Sequence, residues 1–351
     1  MAKIKNISNY INQLVSKYKL NLSGLTVLTE AASGSYLYNP LIAAEAGAKA
    51  VYTFCRDTQY GKTKDIGKKM LSLSETQGRS NSIKFITRKD AGIIIKADIV
   101  TNSGHLRPFT KEFMSKMKPT AVIPLMWEPW ELRDTEIDII AAKERGILIM
   151  GTNEHEPPCD MRPYSPMTAL KLMMDHQTSI IDDNILIVGN QETLAIAIED
   201  KFVSMGLKCK RIETTVNIDQ ITDAIEWASY ILIAEHSDNK LLIGEDALMS
   251  ISDLIETGIE AVGVISGQVD LEGLVSAGVS VFPKQLAPVG YMSFQPSELG
   301  PYPVMDLFTA GLKVGEAMAR ARMMGLSQHD AALEAIQKSP AMDLEGEMAW
   351  L

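Results

Sequence analysis

The sequence predicts an α/β protein of two domains, each built on a doubly wound parallel sheet. Short β-rich runs alternate with helical patterns along most of the chain, which is typical of parallel strands joined by helices. The alternation starts again after a polar loop at residues 151–164. The 351 residues, of which 46% are hydrophobic and 22% charged, are enough for two cores of ordinary size.

The first series of elements starts with an amphipathic helix at residues 4–21, where apolar side chains recur at helical spacing. A helix at residues 39–47 has Pro40 in its first turn, a position that favours proline. The β-rich runs predict strands at residues 25–28, 50–54, 83–87, 97–102 and 120–125.

A second series follows the polar loop. It comprises helices at residues 166–176, 193–205 and 218–228, and strands at residues 184–188, 208–213, 230–235, 261–265 and 279–282. A mostly apolar stretch at residues 303–324 predicts a buried helix. Small residues in it would allow close helix packing, between domains or between protomers: Ala310, Gly311, Gly315 and Ala319.

These elements predict two Rossmann-like domains, at residues 1–150 and 151–302, with a cleft between them. Residues 303–351 are expected to form C-terminal helices that pack back across the interface. The small residues of the buried helix make a homodimer the expected assembly.

Composition argues against several classes of function. No apolar run approaches the roughly 20 residues of a membrane span and no secretory signal is visible, so a cytoplasmic protein without membrane contact is expected. The net charge of −10 and the lack of a basic stripe argue against a nucleic-acid partner. The three cysteines lie far apart, and the spacing of Glu154, His155 and Cys159 matches no metal site. No metal is expected, and a small-molecule substrate is the expected partner.

The start of the second series suggests a nucleotide-binding domain. Its first strand ends at Gly189 and leads into a helix, and Glu213 ends the next strand 24 residues further on. That is close to the spacing of about 20 residues at which a carboxylate binds the adenosine ribose of NAD. The turn residues Gly189, Asn190 and Gln191 would hold the pyrophosphate. The glycine fingerprint is incomplete, however, and Glu192 adds a negative charge, so a purely structural role for this βαβ unit stays open.

The first βαβ unit offers an alternative cofactor site. Residues 27–35 (VLTEAASGS) and the strand after them resemble the cofactor loop of class I S-adenosylmethionine methyltransferases. That resemblance implies S-adenosylmethionine as cofactor, surrounded by Glu30, Gly34 and Asp57. Small residues at a strand–helix turn also have a packing explanation, which stays open.

Three segments resemble the D-isomer-specific 2-hydroxyacid dehydrogenases and their formate and glycerate dehydrogenase relatives: residues 137–147 (IDIIAAKERGI), 219–228 (DQITDAIEWA) and 269–274 (VDLEGL). The resemblance covers about residues 95–325 and implies a two-domain Rossmann fold and a nicotinamide cofactor. Where that family has its substrate-binding arginine, this chain has residues 266–268 (SGQ). Where the family has its catalytic histidine, this chain has residues 288–291 (PVGY). The family's catalytic residues are therefore not carried over.

Polar side chains gather after two predicted strands, at residues 102–107 and 126–133, and continue at residues 153–156. Ligands of open α/β sheets bind outside the carboxyl ends of strands, so these loops supply the candidate catalytic residues His105, Arg107, Glu128, Glu131, Asn153 and His155. Arg107 is suited to bind a carboxylate, and His105 or His155 to move a proton. The alternative is that these residues have only a structural role, in which their side chains bond to neighbouring groups of the loops.

The leading hypothesis is an oxidoreductase that uses NAD on a small polar, carboxylated metabolite. It rests on the family resemblance and on Glu213. An S-adenosylmethionine-dependent methyltransferase and a non-catalytic ligand-binding protein on a dehydrogenase-like scaffold are the alternatives.

Overall fold

The computed structural model describes residues 2–76, 78, 82–133, 135–215 and 218–351, which form two compact units. The first unit combines Met1–Asp160 with Pro301–Leu351, and the second is Met161–Gly300. Residue 151, the expected start of the second domain, lies in a strand of the first unit, because that strand pairs on both sides within the first sheet.

The first unit contains helices α1 (Ala2–Lys17), α2 (Asn39–Glu45), α3 (Thr63–Thr76), α4 (Ala91–Ile94), α5 (Lys111–Ser115) and α6 (Ile139–Arg145). Its strands up to residue 160 are β1 (Thr26–Glu30), β2 (Ala50–Phe54), β3 (Ile83–Ile86), β4 (Ile99–Val100), β5 (Val122–Pro124), β6 (Leu148–Thr152), β7 (His155–Glu156) and β8 (Cys159–Asp160).

The second unit contains helices α7 (Tyr164–Asp175), α8 (Ala197–Ser204), α9 (Ile218–Trp227), α10 (Ile251–Glu256) and α11 (Leu271–Ser276). Its strands are β9 (Ile185–Val188), β10 (Cys209–Ile212), β11 (Tyr230–Ala234), β12 (Leu241–Ile243), β13 (Ala261–Ser266), β14 (Gln268–Val269) and β15 (Ser280–Phe282). The chain then returns to the first unit with α12 (Tyr302–Met323), α13 (Gln328–Lys338) and β16 (Ala341–Met342).

The first sheet has the strand order β16-β6-β5-β4-β1-β2-β3, and all of its pairs are parallel except β16 with β6. All five residues of β1 are buried, as expected for a central strand covered on both faces. The chain order reverses between β1 and β4. We call the carboxyl ends of these two strands the first switch point, because such reversals create the ligand crevice of doubly wound sheets.

The second sheet has the order β10-β9-β11-β13-β15, and its pairs are parallel. Apolar side chains of β9, β11 and β13 feed two buried clusters of the second unit. The order reverses between β9 and β11, whose carboxyl ends we call the second switch point. Two doubly wound parallel sheets therefore confirm the fold class that the sequence predicts.

Local sequence signals set several helix ends around the first sheet. The side chains of Thr110 and Asp138 accept hydrogen bonds from backbone N–H groups in the first turns of α5 and α6. Gly146 ends α6 with φ of 81°, a left-handed conformation that glycine adopts without strain.

Helix α12 packs on β4 and β5 of its own unit. A Cβ atom at Gly315 would lie 2.9 Å from Pro124 and 3.0 Å from Ile99, and one at Gly311 would collide with Met126. The small residues thus serve packing inside the first unit, which removes the reason for which a homodimer was expected. The homodimer itself stays a prediction.

The N-terminal helix is tied to the same C-terminal helix by polar contacts. Lys17 Nζ lies 2.8 Å from the Asp306 carboxylate, and the Tyr18 hydroxyl donates to Asp306 at 2.7 Å. The backbone N–H of Asn21 donates to Glu316 at 3.0 Å. The first unit is therefore completed by segments far apart in the sequence.

Some elements differ from the expected ones. The strand expected at residues 97–102 is limited to Ile99–Val100, and beyond it the chain turns, with the backbone N–H of Ser103 donating to the Thr101 carbonyl at 2.8 Å. The helix expected from residue 193 opens with a wide turn, Glu192–Ile196, before α8 begins. Within the described residues, no helix is long and apolar enough to cross a membrane, and no three His, Cys, Asp or Glu side chains are grouped to hold a metal ion.

Candidate functional site

The candidate catalytic residues all follow strands of the first sheet, at the edge formed by its parallel carboxyl ends. The loop after β4 carries His105 and Arg107, and the loop after β5 carries Glu128 and Glu131. Asn153 follows β6, and His155 is the first residue of β7. This edge is where doubly wound sheets bind ligands.

Glu30, the last residue of β1, lies at the first switch point and is 2% exposed. Its carboxylate accepts the backbone N–H of His105 at 2.6 Å. Burial raises the pKa of Glu30, while the bonds from His105 and Gly104 and the charges of Arg107 and Arg56 act in the opposite direction. Glu30, expected near S-adenosylmethionine, therefore adjoins the residues expected to carry dehydrogenase chemistry.

Hydroxyl groups line the sheet just before this edge. Thr29 pairs in register with Thr53 on β2, and the Thr101 hydroxyl donates to that of Thr29 at 2.9 Å. Ser103 lies 2.7 Å from the same Thr101 hydroxyl. All of these side chains are buried.

Several buried polar atoms around the first switch point have no hydrogen-bond partner among the described residues: both side-chain amide atoms of Asn39, both of Asn102, the hydroxyl of Thr53 and Nδ1 of His105. Asn39, Thr53 and Asn102 are 0% exposed and His105 is 8% exposed. A buried polar group without a partner is unfavourable, so each of them calls for a ligand or an ordered water molecule.

Glu128 and His155 form a second polar group at this edge. The two side chains lie 2.8 Å apart, from Nε2 of His155 to Oε1 of Glu128. Glu128 is buried and also accepts hydrogen bonds from the Trp130 indole at 2.9 Å and from the backbone N–H of Glu154 at 3.3 Å. A carboxylate held in this way orients the imidazole, leaving Nδ1 to exchange a proton.

Glu154 and the expected residue Asn153 flank this pair. Burial raises the pKa of Glu154 well above its ordinary value, and the carboxylates of Glu131 and Glu128 add to the rise. The Asn153 side chain accepts the backbone N–H of His155 at 2.8 Å. A cavity of about 400 Å³ opens beside Asn153 and is lined on other sides by Tyr18 and Lys313, among other residues. That volume suits a small metabolite.

Arg107 lies between the polar residues of the first switch point and the Glu128–His155 pair. It forms an ion pair with Glu136, and its guanidinium lies 4.8 Å from the ring centroid of Trp127. Trp127 directly precedes Glu128 in the sequence. The structure therefore places the six expected catalytic residues along one edge of one unit, with contacts between Glu128, Asn153 and His155.

The turn expected to hold a cofactor lies at the second switch point. Glu235, which follows β11 and is 0% exposed, accepts the backbone N–H of Asn190 at 2.9 Å. The same carboxylate accepts the N–H groups of Ser237 and Asp238 at 2.7 and 3.0 Å and the Ser237 hydroxyl at 2.6 Å. The Asn190 side chain exchanges hydrogen bonds with Thr214 at 2.7 and 2.9 Å.

The residues of this turn do not fit the pyrophosphate of NAD. The Asn190 N–H, which an anion would need, already donates to Glu235, and the first turn of the following helix carries the Glu192 carboxylate. Glu213, expected at the ribose, has a side chain that is 56% exposed, with Arg211 at 3.6 Å. Gly189 is required for packing, because a Cβ atom there would collide with the Ala234 carbonyl.

Two residues expected around S-adenosylmethionine have local structural roles. Gly34 begins a short helical turn with φ of 64°, where a side chain would be strained. The exposed Asp57 carboxylate accepts the backbone N–H of Thr63 at 2.8 Å and pairs with Lys62 at 3.3 Å. The hydrogen bonds from Thr63 lower the pKa of Asp57.

Sequence reasoning missed Glu235 and the polar residues Asn39, Thr53 and Arg56. Thr53 and Arg56 belong to the end of β2, and Asn39 is the first residue of the helix that follows β1. Their common signal is a polar side chain at or just beyond the carboxyl end of a buried strand. That signal becomes specific only once the strand order is known.

Comparison with known proteins relates the chain by fold alone. No protein-family model matches it, and no curated sequence shows significant similarity. One of the subunits of dipicolinate synthase from Bacillus halodurans aligns over 82% of this chain and 96% of its own, with 12% identity and a TM-score of 0.53. The two-domain α/β fold expected from the sequence is thus found in a solved structure.

Two dehydrogenases also align, at lower TM-scores. The NAD⁺-bound 3-phosphoglycerate dehydrogenase of Entamoeba histolytica has 12% identity and a TM-score of 0.44, over 87% of this chain and 97% of its own. A D-isomer-specific 2-hydroxyacid dehydrogenase from Lactobacillus delbrueckii ssp. bulgaricus, in its NAD-complexed form, has 11% identity and a TM-score of 0.45, over 84% and 98%. A member of the family that the sequence resembles is therefore among the structures that align.

Proposed function

We propose that this protein is an oxidoreductase that acts on a small polar, carboxylated metabolite with a nicotinamide cofactor. The observation that carries the proposal is the Glu128–His155 pair, 2.8 Å apart, on the same sheet edge as Arg107. Arg107 would bind the substrate carboxylate, and His155, oriented by Glu128, would accept or donate the proton. The sequence resemblance to D-isomer-specific 2-hydroxyacid dehydrogenases supports the reaction class.

His155 is the better candidate than His105 for moving the proton. Its side chain is 34% exposed and faces a carboxylate, whereas His105 is buried with Nδ1 enclosed. Burial lowers the pKa of His105, and the charge of Arg56 lowers it further, so His105 stays neutral at physiological pH. The nicotinamide cofactor would serve as the redox partner, with Glu213 at its ribose. No step is assigned to it, because the turn beside Glu235 does not fit its pyrophosphate.

The second candidate function is a non-catalytic ligand-binding protein. Glu235 favours it, since this carboxylate takes up the N–H group that a dinucleotide phosphate would need. The two functions differ in whether a nicotinamide nucleotide binds at all.

Calorimetric titration of the purified chain with NADH and NADPH separates the two candidates. We expect NADH to bind and Glu213→Ala to abolish that binding, with the exposed Glu245→Ala as the matched control. If neither nucleotide binds, the oxidoreductase is rejected in favour of the ligand-binding protein.

Turnover tests the Glu128–His155 pair. Oxidation of 2-hydroxy acids, followed by nicotinamide absorbance, should fall about 100-fold in kcat for Glu128→Gln, the scale of general acid–base catalysis. Glu144→Gln, a change of an exposed carboxylate of the same unit, should leave kcat unchanged. Equal rates for the two variants would remove Glu128 from the reaction.

A further inference from the structure

The cavity of about 400 Å³ lies within the first unit, at the sheet edge where β16 pairs with β6. Its walls come from Tyr18 after α1, from α12 and α13, and from the turn between β7 and β8. Among the described residues that line it, Arg107, Glu128 and His155 do not occur. The cavity is therefore separate from the groups that carry the proposed reaction.

Two lysines supply hydrogen-bond donors to this cavity. The side chain of Lys313 is 17% exposed, and its ammonium group donates to the Lys19 carbonyl at 3.1 Å and to Glu316 at 3.0 Å. An ammonium group has three N–H bonds, so one stays available. Lys338, on the rim, forms an ion pair with Glu334 and keeps further donors.

The other polar side chains of the lining add one more donor group. The Asn153 side-chain oxygen accepts a backbone N–H at 2.8 Å, which leaves its NH₂ group to donate. The Tyr18 hydroxyl already donates to Asp306 at 2.7 Å, and the Ser339 hydroxyl donates to the Ala335 carbonyl at 2.6 Å. The free hydrogen-bonding capacity is therefore mainly that of N–H donors, which suits an acceptor on the ligand.

The charge at the cavity also favours an anion. No acidic side chain is among the described residues of the lining. Glu316, the partner of Lys313, is shared with Arg320 at 3.2 Å, so one carboxylate faces two cations. The C-terminal end of α13 contributes partial negative charge, which the positive charge of Lys338, the last residue of that helix, opposes.

The rest of the lining is apolar and consists of Pro157, Pro158, Ile336, Pro340 and Ala341. Ile336 is 40% exposed, although it lies on a helix that packs against α12. An apolar wall stabilises the apolar part of a ligand by removing it from water and offers nothing to a hydrated inorganic ion. An anion with an apolar body therefore uses both parts of the cavity.

We propose that this cavity binds an organic carboxylate with a short apolar body. The carboxylate is held by Lys313, with Lys338 adding positive charge at the rim, and the body lies against Ile336 and the prolines. This site goes beyond the proposed function, because it contains none of the groups assigned to the reaction and needs no nucleotide. It also requires no hydroxyl group on the ligand.

Binding is measured by calorimetry on the full chain without any nucleotide. The probes are benzoate and hexanoate, compared with their neutral amides benzamide and hexanamide, with acetate and with inorganic phosphate. We expect benzoate or hexanoate to bind at least tenfold more tightly than its own amide, than acetate and than phosphate. Failure of both carboxylates to bind overturns the proposal. An amide that binds as tightly as its carboxylate, or phosphate that binds more tightly, overturns it as well.

Lys313→Met tests the charged contact, because methionine keeps most of the apolar stem and removes the ammonium group. Affinity for the bound carboxylate should fall at least tenfold in a variant shown by thermal unfolding to be folded at the titration temperature. Unchanged affinity overturns the proposal. Should Lys313→Met fail to fold, Lys338→Met should weaken binding at least threefold relative to Lys116→Met. Lys116 is likewise paired with a glutamate four residues before it, so the two variants lose similar ion pairs.

Ile336→Asn tests the apolar wall and has a matched control on the same helix. Leu333 is 41% exposed and Ile336 40%, but only Ile336 is among the residues given by the described lining. We expect Ile336→Asn to weaken binding of the carboxylate at least fivefold and Leu333→Asn to change it less than twofold. Equal affinities in the two variants overturn the assignment of the ligand to this cavity.

Discussion

Each of the two doubly wound sheets has a buried glutamate at its switch point, and the two glutamates differ in their surroundings. Glu30 accepts the N–H of His105 from the loop after β4, and Glu235 accepts the N–H of Asn190 from the turn after β9. In both cases a carboxylate joins two neighbouring strands where the chain order reverses. Because the two glutamates occupy the same position in their sheets, their hydrogen-bonding surroundings can be compared directly.

The second switch point is satisfied by the protein itself. Glu235 accepts further hydrogen bonds from Ser237 and Asp238, and Asn190 exchanges two with Thr214. Around the first sheet, by contrast, the amides of Asn39, on the helix after β1, and of Asn102, after β4, have no partner in the described chain. We call the second switch point closed, because hydrogen bonds within the protein satisfy its buried groups, and the first one open. The hydrogen bonds of the closed switch point contribute to stability. Buried amides without partners lower stability and remain able to bond to a ligand or a water molecule.

The largest expected effect comes from opening the closed switch point. Glu235→Ala leaves the N–H groups of Asn190, Ser237 and Asp238 without their acceptor, and we expect a loss of about 3 kcal/mol in the free energy of unfolding, measured in urea. Glu213→Ala, at an exposed carboxylate of the same unit, should change that free energy by less than about 0.5 kcal/mol. A loss below about 1 kcal/mol for Glu235→Ala would remove the contrast between the two glutamates.

A smaller effect is expected where only part of the closed network is removed. Asn190→Ala deletes the two side-chain hydrogen bonds with Thr214 but keeps the backbone N–H that donates to Glu235. The free energy of unfolding should fall by about 1–2 kcal/mol. The neighbouring Gln191→Ala, whose side chain caps nothing in the helix that follows, serves as the control. Equal losses in the two variants would mean that the Thr214 bonds add no stability.

The smallest effect is expected at the open switch point, and it depends on pH. Because burial raises the pKa of Glu30 in the folded state, the unfolded chain ionises first as pH rises, and the carboxylate costs stability above the ordinary pKa of glutamate. Glu30→Gln keeps the acceptor for His105 and removes that cost. The variant should match the wild type near pH 4 and be slightly more stable at pH 7, by thermal unfolding at both values. A destabilised variant at pH 7 would show that the charge of Glu30 supports the fold.

The sequence predicts where strands lie better than it predicts which residues they bring together. Residues 50–54 form β2 as expected, because a run of apolar and β-branched residues can be buried on both sheet faces wherever it lies. The sequence also predicts which loops follow strands of the first sheet and carry polar residues in short clusters, whereas their function stays a prediction. His155 and Glu128 both belong to such clusters, and the structure brings them to within 2.8 Å of each other.

What the sequence does not reveal is pairing at a distance. Glu235 and Asn190 are 45 residues apart, and Glu30 and His105 are 75 residues apart, so nothing local marks them as partners. For the same reason the incomplete glycine fingerprint after Gly189 predicts a phosphate site. The distant Glu235 in fact accepts the Asn190 N–H group that a phosphate would need. Asn39 and Thr53 gain meaning only from the order of strands in the first sheet.

The contacts of Lys17 and Tyr18 with Asp306 have a consequence for how the chain is made. Residues 161–300 leave the ribosome before the segment that carries Asp306, so the second unit has all of its strands while the first still lacks α12. Until then the face of β4 and β5 that receives Gly311 and Gly315 stays uncovered. The first unit is therefore the later of the two to be completed, although its synthesis starts first.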